Sequence, residues 1–224
     1  ATAHEQFGIS YLFPFQRLTA DLTIADRHTI VLLYQPLTIA TQSIFRDDVT
    51  IDGVTFAAGT PMDLKYGFPF WRLSYLFNIV TGGALDVSAG VSLQLRNASI
   101  VFAARDGEQI TVNQNLGPVP ILKARASYRF DGGAFIGTEV DGFYASSAFF
   151  NGAEYPFEGS ILDASVRGGV ELASDIDAFL NLRFVGGTAV GTSQDPTTFW
   201  TEGDSNTTEN YFATLALTLG FSVR

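Results

Sequence analysis

The chain has 224 residues, with 13 Lys and Arg against 23 Asp and Glu, a formal charge of −10, and no cysteine. An acidic chain without a basic face argues against nucleic acid as a partner. The missing cysteines exclude disulfide scaffolds and thiolate metal sites. Only 16% of residues are charged, against about 25% in an ordinary soluble domain, while 13% are aromatic, so the surface is dry and rich in rings. No segment approaches the ~18 to 20 consecutive apolar residues that a spanning helix requires, which excludes helical insertion. The first residues, Ala1-Thr2-Ala3-His4, carry neither a charged nor an apolar leader region, and a mature chain is expected.

The first predicted strand covers residues 5–18, with Phe7, Ile9, Tyr11 and Phe13 on one face before Pro14. A second follows at 27–40, then a long connection over 41–61 in which Asp52-Gly53, inside VTIDGVTF, reads as a small hairpin. In the third run, 62–80, apolar residues fall first on even positions (Leu64, Tyr66, Phe68) and then on odd ones (Trp71, Leu73, Tyr75, Phe77). A β-bulge at Pro69-Phe70 would account for the change and turn Arg72 away from the apolar face; the alternative is that the proline simply ends a strand. The stretches YLFPFQRL at 11–18 and YGFPFWRL at 66–73 share this pattern, and the first would send Arg17 inward in the same way.

From residue 84 the period of two is plain. In 84–103, Leu85, Val87, Ala89, Val91, Leu93 and Leu95 oppose Asp86, Ser88, Ser92, Gln94 and Arg96. Similar runs follow at 109–130, 134–145, 160–173, 177–190 and 209–223, separated by turn residues such as Thr81-Gly82-Gly83, Asp131-Gly132-Gly133 and Ser174-Asp175. The chain is therefore read as one all-β domain over 1–224: an antiparallel up-and-down meander with short turns at one end and long loops at the other. Nine runs are awkward for a bacterial barrel, which closes on an even number. Eight strands are expected, with the first run outside the wall, and ten is the alternative.

Alternation leaves open which face is inside. A lipocalin-like soluble barrel would bury the apolar face; a membrane barrel would turn it to lipid. Runs of 9 to 11 residues or more suit a tilted membrane strand. Aromatics gather at strand ends, with Trp71, Tyr75, Phe77, Tyr128, Phe130 and Phe221 expected at the membrane interface and small aliphatics between the belts. The opposite face mixes charges: Arg96, Lys123, Arg125, Arg129, Glu139, Asp141, Asp163, Arg167, Glu171 and Arg183 are expected to pair in a polar lumen.

This distribution resembles that of small bacterial outer-membrane β-barrels, the OmpA- and OmpW-like proteins, over residues from about 5 to 224. The resemblance rests on pattern and not on a private motif. It implies a transmembrane β-barrel in the outer membrane of a Gram-negative cell, with the bilayer and its lipids as partners. It also implies that the last strand is presented to the barrel-assembly machinery. Such barrels usually finish on an aromatic residue, whereas here Phe221 is followed by Ser222-Val223-Arg224.

Little chemistry is legible. Ser10, His28 and Asp26 could be imagined as a lipid-esterase triad, yet His28 reads better as an interfacial residue. Asp47, Asp48 and Asp52 lack the spacing of a calcium loop. No catalytic residue, metal or cofactor is expected, and the chain is not read as an enzyme. The expected role is structural or that of a narrow, porin-like pore, with loops around Phe149-Phe150 and Phe199-Trp200 carrying any adhesive activity. The alternatives are a passive channel for small hydrophobic molecules, a soluble lipocalin-like binder of small molecules, and a lipid-modifying barrel enzyme.

Overall fold

A computed structural model describes residues 14–51, 53–147, 158–192 and 207–223. The described chain is all-β. Its strands are β1 (Leu18–Ile24), β2 (His28–Gln35), β3 (Thr38–Ile44), β4 (Val49–Ile51), β5 (Val54–Phe56), β6 (Pro61–Gly67), β7 (Phe70–Val80), β8 (Leu85–Ala104), β9 (Ile110–Arg129), β10 (Ala134–Ser146), β11 (Glu158–Ala173), β12 (Ile176–Thr192) and β13 (Thr207–Val223). Hydrogen bonding follows the order β1-β2-β7-β8-β9-β10-β11-β12-β13, with β6 also pairing β3 and β8, and β4–β5 forming a separate hairpin. The pairs with defined register are all antiparallel.

The nine strands of that path exceed the expected eight. The extra member is β1, which from its second residue on lies between the first two expected runs, whereas most of the first run, 5–13, lies outside the described residues. The β4–β5 hairpin is where Asp52-Gly53 placed it, with Gly53 at φ 77°, the left-handed value such a turn requires.

The chain divides into two compact units. Unit 1 comprises Ala1–Thr19, Leu33–Arg72 and Gln94–Val119; unit 2 comprises Ala20–Leu32, Leu73–Leu93 and Pro120–Arg224.

Unit 1 holds a small apolar core. Phe45, Val49, Phe56, Met62, Leu64 and Ala104 form a buried cluster, flanked by Ile51, Val54 and Phe102. Along β6, Met62 and Leu64 point into it while Asp63 and Lys65 point out. Asp63 pairs with Arg105 at 3.1 Å and accepts a hydrogen bond from Gln42 at 3.1 Å, both at the surface.

The bulge expected at Pro69-Phe70 is not there. Gly67 faces Ser99 in the β6–β8 register, and five residues on, Arg72 donates from Nε and Nη2 to Gln94 Oε1, five residues back, at 3.0 and 2.7 Å. No residue has been inserted. The ladder does break, since β6 ends at Gly67 and β7 begins at Phe70, so the proline acts as a strand end. Even-numbered residues stay inside on both sides of it: Met62 and Leu64 before, Phe70, Arg72, Ser74 and Leu76 after. What changes is the chemistry of each face and not its parity.

Unit 2 is a strongly curled sheet. On β9 to β12 the odd-numbered residues line the concave side, including Ile121, Lys123, Asp141, Asp163, Ser165, Asn181 and Arg183, all buried. The even-numbered ones stand exposed on the convex side: Leu122, Ile136, Val140, Leu162, Val166, Val170, Leu180 and Leu182. Rings seated on glycines fill part of the concave side. A Cβ on Gly169 would lie 2.6 Å from the ring of Phe135, and one on Gly220 would strike the ring of Phe179. Arg129 and Arg167 lie over these rings, at 5.0 and 4.2 Å from the centroids.

Candidate functional site: an ion-pair network inside the curled sheet

Strand register places most of the network. On β9 and β10, Arg125 lies opposite Glu139 and Lys123 opposite Asp141, so two of the pairs are direct cross-strand neighbours. Across the next pairing, Asp141 lies opposite Asp163, a like-charge contact that is tolerated because each carboxylate has a cation on its other flank. Lys123 Nζ donates to Asp141 at 2.9 Å, and Arg183 Nη1 donates to Asp163.

Glu139 is the hub. It accepts Arg125 through Nε and Nη2 at 3.1 and 2.9 Å, lies 3.1 Å from Lys123 Nζ, and accepts Arg183 Nη2 at 3.1 Å. Arg125 also donates from Nη1 to Asp21 of β1 at 2.6 Å. Asp141 and Asp163 have 0% exposure. A charge so buried is held in its ionised form only by paired, hydrogen-bonded partners, and removing one partner of such a pair typically costs about 3–5 kcal/mol.

A second cluster lies toward the short turns at 130–133 and 174–175. Arg129 donates to Asp177 from Nη1 and Nη2 at 3.2 and 2.8 Å and reaches Glu171 at 3.3 Å. Nearby, a cavity of about 310 Å³ is lined by Asp21, Asp26, Thr29, Asn78, Asp86 and Arg125 among others.

Of the ten charged residues expected in the network, Lys123, Arg125, Arg129, Glu139, Asp141, Asp163, Glu171 and Arg183 are joined by these ion pairs. Arg167 is on the same side but makes no ion pair among the described residues, lying instead over Phe179. Arg96 belongs to unit 1, with its Nε buried and lacking a hydrogen-bond partner among the described residues. Asp21 and Asp177 were missed. Asp177 sits in the polar set of its run; Asp21 belongs to the strand that was not foreseen.

The six expected interface aromatics, Trp71, Tyr75, Phe77, Tyr128, Phe130 and Phe221, are all exposed. Trp71 stacks on Tyr34 with centroids 4.3 Å apart, and Tyr128 meets Phe130 edge to face at 4.8 Å. His28 Nδ1 and Tyr75 Oη are 2.8 Å apart on the exposed face, and Ser10 lies outside the described residues, as do Phe149-Phe150 and Phe199-Trp200. Asp48 accepts the amide of Ala58 at 2.7 Å, a loop-ordering bond; Asp52 is outside the described set. Among the described residues no group of carboxylates and histidines could hold a metal ion.

Comparison of the chain with protein-family models, with curated proteins and with solved structures gives no match.

Proposed function

We propose that unit 2 is the wall of a transmembrane β-barrel of the bacterial outer membrane, similar in kind to the OmpA- and OmpW-like proteins, with a structural role and a lumen closed by ion pairs. The observation that carries this reading is the inversion of unit 2. Asp141 and Asp163 are 0% exposed, whereas Leu215, Leu217 and Leu219 are 71–72% exposed in a single strand. In water the charges would seek the surface and the leucines the interior; in a bilayer the order reverses. The exposed rings at the strand ends suit headgroup depth. An ionic interior speaks against the lipocalin-like alternative, which needs an apolar cavity. The Glu139 hub, joining β9, β10 and β12 with β1 through Arg125, speaks against an open channel. β13 exposes Phe221 and Val223, an apolar surface of the kind the barrel-assembly machinery would bind.

Refolding is the test. The purified chain should reach a compact, protease-resistant form in detergent micelles or lipid vesicles and should aggregate when surfactant is withdrawn. In planar bilayers it should show no steady conductance. A monodisperse, folded monomer in plain buffer overturns the membrane reading, and sustained single-channel currents overturn the closed lumen.

A further inference from the structure

The cavity of unit 2 beside the short turns at 25–27 and 81–84 holds carboxylates that the ion-pair network leaves unused. Its volume is about 310 Å³, within the range of small-molecule sites, and every residue lining it belongs to unit 2. Three carboxylates, Asp21, Asp26 and Asp86, line it together with one cation, Arg125. That cation is already matched, because Arg125 donates to Asp21 at 2.6 Å and to Glu139 at 2.9 and 3.1 Å. Two further arginines are also engaged: Arg129 with Asp177 and Glu171, and Arg27, which does not line the cavity, with the backbone oxygen of Asn78. The carboxylates of Asp26 and Asp86 have no hydrogen bond or ion pair among the described residues, so the cavity keeps a surplus of negative charge.

Exposed carboxylates alone would mean little, but the wall that carries them is built. Thr29 Oγ1 donates to Asn78 Oδ1 at 3.3 Å and shares a 3.0 Å hydrogen bond with Thr23, and Asn78 Nδ2 donates to the backbone oxygen of Asp26 at 3.1 Å. This chain of bonds holds the turn in which Ala25 and Asp26 both take left-handed φ, 51° and 57°. Ser88 is the independent sign of a ligand. It is only 8% exposed, it lines the cavity, and its hydroxyl has no hydrogen-bond partner among the described residues. A hydroxyl buried to that depth is normally hydrogen-bonded.

We propose that this cavity binds a small linear diamine, one ammonium group resting on Asp86 and Ser88 and the other on Asp26. Asp86 and Ser88 are two residues apart on β8 and so share a face, and an ammonium group brings three donors and no acceptor to these acceptors. Among the described residues no three carboxylates or histidines come together as a metal site. One bare ion cannot collect these separated charges, whereas two ammonium groups joined by methylenes reach both. Val80 and Val87 offer apolar side chains to the methylenes between them. The site does not depend on what surrounds the convex face, so it stands or falls separately from the membrane reading.

The test is equilibrium dialysis of the full folded chain, in non-ionic micelles or in plain buffer if it folds there, against radiolabelled 1,4-diaminobutane. Butylamine and magnesium chloride serve as competitors at constant ionic strength. Expected is saturable diamine binding at millimolar concentration or below, with each competitor at least tenfold weaker. Asp86→Asn should weaken the diamine by about tenfold or more, as loss of a charge-assisted hydrogen bond requires, and Ser88→Ala by about threefold. Asp175→Asn removes an exposed carboxylate from another short turn and should leave the affinity unchanged. Absence of saturable binding overturns the proposal, as does butylamine competing as well as the diamine. Equal losses in Asp86→Asn and Asp175→Asn overturn it too, since general charge attraction would then account for the binding. Magnesium binding more tightly than the diamine overturns the diamine assignment in favour of an inorganic cation, and unchanged affinity in Ser88→Ala overturns the role given to that hydroxyl.

Discussion

Asp21 of β1 accepts a 2.6 Å hydrogen bond from Arg125 of β9, although the two strands stand four places apart in the sheet order. Neighbouring strands are about 4.8 Å apart, so a flat sheet would separate them by roughly 19 Å. Only strong curvature brings the two side chains together across the concave side. The bond is partly exposed, and Asp21→Asn should cost about 0.5–1 kcal/mol in denaturant unfolding. The effect should be local: amide exchange in β1 should accelerate while β10 to β12 stay protected.

Glu139 is a different case because three cations converge on it. Glu139→Gln leaves Lys123, Arg125 and Arg183 with surplus positive charge in a buried space, and about 3–5 kcal/mol should be lost in urea unfolding from micelles. Asp86→Asn, at an exposed position, should change stability by less than about 0.5 kcal/mol. A double-mutant cycle between Glu139→Gln and Arg183→Met should show a coupling above about 1 kcal/mol, since the two groups are in contact.

The rings seated on glycines make a steric prediction. Gly169→Ala would place a methyl group against the backbone oxygen of Ala178 and the ring of Phe135, and Gly220→Ala one against Phe179. Each should destabilise by about 1–3 kcal/mol, the usual cost of overpacking. Gly168→Ala has nothing within 4 Å and should be close to neutral. Adding Phe135→Ala to Gly169→Ala should recover part of the loss, measured as the temperature at which the folded band on a semi-native gel disappears.

A charge on the convex face tests the solvent itself. Leu182→Arg, near the middle of β12, should cost about 2–4 kcal/mol if hydrocarbon surrounds it, and Val223→Arg, at the strand end, about 0–1 kcal/mol. Equal, small effects at both positions in detergent-refolded protein would mean that both side chains face water.

Much of the fold was legible because a period of two survives any amount of sheet curvature. The run expected at 84–103 is β8 to within a residue, and those at 134–145 and 177–190 are β10 and β12 within two residues at each end. The inward set on β9 to β12 could be read the same way, since parity alone puts Lys123, Glu139, Asp163 and Arg183 on one side. Their pairings could not. Arg183 reaches Glu139 two strands away and Arg129 reaches Asp177 three strands away, contacts that exist only once the curl is known. The bulge at Pro69 was a misreading of a different kind. It took the buried face to be apolar throughout, whereas Arg72 and Ser74 follow Phe70 on that face without any slip. β1 was lost because LTADLTI is only seven residues long and lies between stronger patterns.

Asp141 facing Asp163 has one more implication. A β10–β11 hairpin alone would set these two carboxylates side by side with neither cation present, because Lys123 comes from β9 and Arg183 from β12. The hairpin therefore opposes its own formation until both flanking strands arrive, and the four strands must assemble as a cooperative block. A slip of one residue would turn the charges outward, so the same carboxylates proofread the alignment as the wall is laid down.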